Sequence, residues 1–223
     1  MAGSGPLMDK SSQLMQMAGF TSFLASSFEK EVTSLFLDRV QEHYPGFSSW
    51  IKEQNQPHLL EGSRLMEEFI QKSLEARNRE ALLDELAVEY ASLFLGAGET
   101  PVPVIESVYL GVDHILYEKP YFEVIDFYQE HGYEKPQDFQ EPEDHLAIEL
   151  DFYALQLHGA IWAREAGNEK EAQLRLEIAQ KFKKEHLELW VPQACNDLFK
   201  AAATPFYLGI AHMTMGLIAA PLS

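Results

Sequence analysis

The chain has 223 residues, 46% of them apolar and 23% charged, enough for one large folded domain or two small ones and ordinary for a globular protein. Its 35 acidic against 17 basic side chains give a formal charge of −18, which repels phosphate backbones and anionic lipid and favours basic partners. One cysteine, Cys195, excludes an internal disulfide and a thiolate metal cage, and its apolar neighbourhood marks a packed residue rather than a nucleophile.

The opening Met1–Leu7 stretch (MAGSGPL) reads as a cloning remnant, with the functional domain expected over residues 8–223. The hydrophobic period is helical almost throughout. Val32, Leu35, Phe36 and Val40 predict a helix, with Ser26 and Glu29 in capping-box register before it. Leu65, Met66, Phe69, Ile70 and Leu74 predict a second. Over residues 80–95, Leu82, Leu83, Leu86, Tyr90, Leu93 and Phe94 fall within about 120° of one another on a helical wheel. Glycines and prolines in the 96–103 stretch (GAGETPVP) forbid a continuous helix there. Residues 121–131 predict another helix, with Pro120 near its start and Gly132 just past its end. A second break spans residues 131–142.

The next segment opens on Glu141-Pro142-Glu143-Asp144-His145, where Pro142 suits the first helical position and the acids suit the positive end of the dipole. Beyond it, Leu146, Leu150, Tyr153, Leu157 and Ile161 share one face, and Ile148, Phe152 and Leu155 the opposite one. A helix apolar on two sides is central, or meets a ligand on one of them. Treated as helical, Asp144 and His145 bracket Ile148 and Phe152 at the rim of a candidate apolar groove. That arrangement suits a partner carrying positive charge beside apolar residues, and equally a buried Asp–His hydrogen bond. Gly167-Asn168 then breaks the chain before a long amphipathic helix over residues 170–189. The 201–223 tail lacks Asp, Glu, Lys and Arg, but Thr204, Pro205, His212 and Thr214 favour a buried terminal helix over a membrane span.

Catalytic signatures are sparse. The sequence holds no GxSxG, GxxxxGK[ST], HExxH or GxGxxG, and none of its eight histidines follows an acid by three residues as a di-iron bundle needs. His145 and Glu149 have the i,i+4 spacing of a helix-borne metal pair. A metal- or acid/base-dependent hydrolase built on Asp144, His145 and Glu149 is therefore the competing reading. A general adaptor that takes amphipathic helices into an apolar groove is a third.

Tyr90-Ala91-Ser92-Leu93-Phe94, Glu106-Ser107-Val108-Tyr109-Leu110 and Glu141-Pro142-Glu143-Asp144-His145 stand in an order and spacing that resembles the TorD/DmsD/NarJ family of redox-enzyme maturation chaperones. The tail adds Phe182, His186-Leu187, Trp190, Pro192 and Thr204-Pro205-Phe206-Tyr207, similar to that family's C-terminal pattern, so the resemblance covers about residues 12–218. It implies an all-α fold, expected here as a single domain of about ten helices with a loop-rich centre. It implies a cytoplasmic protein that catalyses nothing and carries neither cofactor nor metal. The implied partner is the twin-arginine signal peptide and body of a molybdoenzyme precursor, held until its cofactor is inserted. The leader-binding residues carried over are Tyr90, Glu141, Asp144 and His145. A homodimer made by swapping helices is also open to such a chain, with the two central breaks as hinges.

Overall fold

The computed structural model describes residues 9–222, so the expected cloning remnant lies outside the described residues. Eleven α-helices account for most of them: α1 (Lys10–Glu29), α2 (Ser34–His43), α3 (Ser48–Gln54), α4 (Pro57–Glu75), α5 (Arg79–Phe94), α6 (Glu106–Leu110), α7 (Lys119–Glu130), α8 (Leu146–Glu165), α9 (Glu169–Phe182), α10 (Glu188–Ala201) and α11 (Pro205–Ala219). The fold is all-α, and the only extended pairing among the described residues is an isolated antiparallel bridge between Ile105 and His145.

Local chemistry sets the helix ends. Side-chain oxygens of Asp9, Thr33, Gln56, Asn78, Asn168 and Thr204 each accept a backbone N–H in the first turn that follows. Pro120 sits in the first turn of α7, and Gly132 just beyond that helix has φ +65°, which a Cβ would disfavour. Three boundaries differ from the sequence expectation. Ser26 and Glu29 lie inside α1, and Thr33 caps α2. The charged run after Asn168 is split: α9 ends at Phe182, and a π-helical turn over Lys183–Leu187 joins it to α10. Finally, α8 starts at Leu146 rather than Pro142, because His145 Nδ1 accepts the N–H of Ala147 at 3.1 Å and serves as the cap.

The two apolar faces of α8 resolve as centrality. It packs most extensively against α1 and α9, and Leu146, Leu150, Phe152, Tyr153 and Leu157 are all buried. Phe152 lies among the rings of Phe127, Tyr128, Tyr133 and Phe182, with centroids 4.7–5.8 Å away. The tail forms the buried helix expected of it, and among the described residues no helix is long and apolar enough to cross a membrane.

The other extensive seam joins α4 to α11. Its closeness rests on Gly62, where a Cβ would meet the Met213 side chain at 2.5 Å, the Met213 backbone nitrogen at 2.8 Å and the Gly209 carbonyl at 2.9 Å. Backbone cannot yield as a flexible side chain can, so Gly62→Ala should force the helices apart. We expect a loss of about 1–3 kcal/mol in urea unfolding. A wild-type midpoint in that variant would show that the seam is looser than this.

Candidate functional site

Three chain segments meet where α5 ends. Tyr90, Phe94 and Leu95 stand at its C-terminal end. The chain breaks at Gly96 and returns antiparallel to His145: Val102 N–H donates to Leu93 O at 2.7 Å, Glu106 N–H to Asp144 O at 2.9 Å, and Leu146 N–H to Val104 O at 2.8 Å. The second break folds over the first, with Phe139 edge-on to the His145 ring at 5.2 Å and Lys135 Nζ donating to Glu141 O at 2.6 Å. The end of α1 and the linker to α2 supply the third side, with Glu29, Lys30 and Glu31.

Between these segments lies a cavity of about 470 Å³. Tyr90, Phe94, Leu95, Pro103, Val104, Ile105 and Phe139 give it an apolar lining, and the carboxylates of Glu29, Glu31, Asp138 and Glu141 give it an acidic one. Lys30, paired with Glu29 at 3.1 Å, is the cation in that lining. A smaller space of about 260 Å³ shares Glu29, Asp138 and Phe139 and adds Ile148 and Asp151. The result is an apolar trench under excess negative charge. Burial foremost, then the charges of Glu141, Glu29 and Glu31, pushes the Tyr90 phenol up to about 12. Its hydroxyl stays protonated and donates to Phe28 O at 3.4 Å.

His145 presents a different chemistry. Burial, and then the charge of Lys135, pulls its imidazole down to about 3, so the ring is neutral at pH 7. Since Nδ1 accepts the Ala147 N–H, the neutral tautomer carries its proton on Nε2. The ring lining the trench is therefore a hydrogen-bond donor without charge.

Of the residues expected at the site, the structure brings Tyr90, Glu141 and His145 to one cavity and Ile148 to the space beside it. Asp144 and Phe152 are corrected: both are 0% exposed. Phe152 fills the aromatic core, so it lines no groove. Asp144 Oδ2 accepts the Ser107 N–H at 2.8 Å, tying α6 to the start of α8. Neither the rim role nor an Asp–His hydrogen bond describes it. The wheel angles placed Asp144 on the rim because they treated residues 141–145 as helix, and these residues form a turn. Glu29, at the end of α1, was read only as a capping-box acid, and Glu31, in the α1–α2 linker, was not singled out. Local spacing carried no sign of them, since they reach Tyr90 only through the fold.

Behind the trench wall lies a buried polar cluster. His186, on the π-helical turn, places Nδ1 3.1 Å from Glu106 Oε2, and Trp190 Nε1 donates to Glu149 Oε2 at 3.0 Å. Burial, the charge and hydrogen bonding of Glu106 and the charge of Asp144 raise the Glu149 carboxyl well above its ordinary range. Asp144 is raised as well, chiefly by burial. Among the described residues no N–H or hydroxyl group donates to Glu149 Oε1 or Asp144 Oδ1, which leaves the protonated Glu149 carboxyl to share its proton with Glu106. The three residues of the hydrolase reading thus part company: Asp144 and Glu149 are buried in the interior, and His145 alone lines the cavity. Among the described residues no three His, Cys, Asp or Glu side chains are placed to hold a metal ion.

The signature segments are therefore neighbours in space. Tyr90 and Phe94 pack against Tyr207, Tyr109 stacks on Trp190, and Glu106 meets His186. The family model described as nitrate reductase delta subunit matches residues 52–196. The chain is 27% identical over 177 residues to the chaperone protein TorD of Psychrobacter sp. (strain PRwf-1), covering 79% of this chain and 76% of that one. It is 26% identical over 211 residues to the TorD of Aliivibrio salmonicida, covering 92% and 95%. With a TorD of Vibrio cholerae (strain M66-2) the identity is 31% over 134 residues, or 60% and 59% of the two chains. The chain belongs to the TorD/DmsD/NarJ family of redox-enzyme maturation chaperones.

Proposed function

We propose that this chaperone works in the cytoplasm and binds the twin-arginine leader and the apoprotein of a molybdopterin oxidoreductase, holding both until the cofactor is inserted and export can proceed. It acts by binding alone and uses no cofactor of its own. The observation that carries this reading is the trench, whose apolar lining lies among the carboxylates of Glu29, Glu31, Asp138 and Glu141. A twin-arginine leader offers the complement: two guanidinium groups followed by an apolar stretch.

Magnitudes divide the labour. Removing roughly 400–600 Å² of apolar surface from water contributes about 10–15 kcal/mol gross, most of it offset by ordering the peptide and by lost translational freedom. An exposed Arg–carboxylate pair adds only about 0.2–1 kcal/mol, whereas a desolvated, forked pair adds about 1.5–3 kcal/mol. The apolar lining sets affinity, and the acids select the leader. His145 Nε2–H adds a neutral donor for a peptide carbonyl.

Calorimetric titration with a panel of synthetic leaders from molybdopterin oxidoreductases tests this and names the client by its tightest binder. The double change Asp138→Asn with Glu141→Gln should weaken the best leader about tenfold without moving the melting temperature, both groups lying at the protein surface. Replacing the leader's arginines with lysine should cost about 1 kcal/mol or more, even at high salt, because an ammonium cannot fork onto a carboxylate. Equal affinities for both leaders at every salt concentration would leave only the diffuse field of the −18 charge and would overturn direct contact.

A further inference from the structure

The smaller space beside the trench owes its existence to small residues. Its floor is formed by Ala25 of α1 and Ala147 in the first turn of α8, with Ile148 beside them, and all three are buried. Two methyl groups, where larger side chains would fill the gap, leave room of about 260 Å³. An apolar cavity of about 150 Å³ already holds a benzene ring. This one therefore suits a single side chain and is too small for a helix.

The space is continuous with the trench, because Glu29, Asp138 and Phe139 line both. Phe139 lines a third cavity too, of about 600 Å³, so this one ring stands at the boundary of all three. It is held there. Its N–H donates to Pro136 O at 3.1 Å, and its half-buried ring packs on the core and lies edge-on to His145 at 5.2 Å. The rim of the space is acidic, with Glu29, Asp138 and Asp151 exposed around the apolar floor. The Tyr133 hydroxyl fixes Asp151 by donating to Oδ2 at 2.7 Å. A cation pushed onto such a floor would lose its water and find no side-chain acceptor. An aliphatic side chain gains by burial there, and the rim acids meet a cation beside it in the same peptide.

We infer that this space is the seat of one aliphatic side chain, leucine or isoleucine, in the apolar stretch that follows the leader's arginine pair, and that Phe139 sets the size it accepts. This rests on the leader reading above. Glu29 and Asp138 belong to both spaces, so a guanidinium held by either stands at the mouth of the seat, and a residue close behind the pair enters it.

The probes are the tightest-binding leader of the calorimetric panel and its variants with alanine, leucine or tryptophan at each apolar position in turn. At one position wild type should prefer leucine over alanine by about tenfold or more, the worth of the methyl and methylene groups buried. It should prefer leucine over tryptophan there by a similar factor. Ala25→Leu fills the seat from the protein's side, so the leucine leader should fall to the affinity of the alanine leader, which itself stays unchanged. Phe139→Ala widens the mouth and should bring the tryptophan leader within about twofold of the leucine leader. Both variants should still prefer arginine to lysine in the pair, since the acids are untouched. Leucine and alanine leaders that bind wild type alike at every position overturn the inference, as does a leucine preference that a folded Ala25→Leu protein keeps in full. A leucine-to-tryptophan ratio that Phe139→Ala leaves unchanged overturns the role of that ring, and this variant alone decides if thermal melts show Ala25→Leu unfolded. Failure of every leader to bind wild type would instead strike the trench reading.

Discussion

At pH 8 the Glu149→Gln variant should be more stable than wild type, and the difference should shrink as the pH falls toward 5. Glu149 is fully buried, and its carboxyl is raised well above the ordinary range by burial, by Glu106 and by Asp144. The folded chain therefore keeps a proton that the unfolded chain has released above about pH 4.3. Across that window folding takes up a proton, so wild-type stability is lost as the pH rises, at about 1.4 kcal/mol per pH unit for one proton. Glutamine cannot ionise and removes this slope. Its carbonyl still accepts from Trp190 Nε1, and its amide can donate toward Glu106. Asp144, raised in the same sense, and His145, lowered, are present in both proteins, so the difference reports Glu149 together with its coupling to Asp144. Urea unfolding between pH 5 and 8 measures it. Parallel stability curves would show that Glu149 folds as an anion. Glu149→Leu should differ from the glutamine variant by about 1–3 kcal/mol, because it leaves the Trp190 N–H buried without a partner.

That buried acid also shows what the sequence could carry. Apolar periodicity located α4, α5 and α8 because each has a stripe buried against the core. The Gly/Pro-rich stretch at 96–103 located the break that lets Val104 and Ile105 return past His145. Tyr90, Glu141 and His145 were legible as members of ordered motifs. The orientation of Asp144 was not, because angular arithmetic holds only inside a helix and α8 begins one residue after His145. Glu149 was read as a metal-ligand candidate by spacing to His145, whereas its partners Glu106 and Trp190 come from other helices. The long helix α1 went unnamed in the sequence reading although Leu14, Phe20, Thr21 and Leu24, all buried against the body, fall within about 120° of one another; Thr21 and Ser27 put polar residues on that buried side and blur the apolar pattern. Its C-terminal acid reaches the trench through that packing, a tertiary fact that local spacing does not encode.

Phe152→Ala should be the most destabilising single change in α8, at about 3–5 kcal/mol. The ring is fully buried and meets four aromatic neighbours from α7, α9 and the break that follows α7, so its loss opens a cavity that rigid rings cannot collapse to fill. Asp144→Ala should cost less, about 1–3 kcal/mol, by leaving the Ser107 N–H without its acceptor. Asp144→Asn keeps a carbonyl acceptor there and should stay close to wild type. Both alanine variants should lose leader binding only in proportion to the fraction unfolded, with full affinity recovered at low temperature or with stabilising sulfate. Glu141→Gln should do the reverse, keeping the wild-type melting temperature while weakening the leader, because its side chain lines the trench and supports nothing beneath it. Thermal melts paired with peptide titrations at 10 °C separate the two patterns. A fully folded Phe152→Ala protein that cannot bind the leader would return that ring to the binding surface, and a folded Asp144→Ala protein with the same defect would do so for the carboxylate.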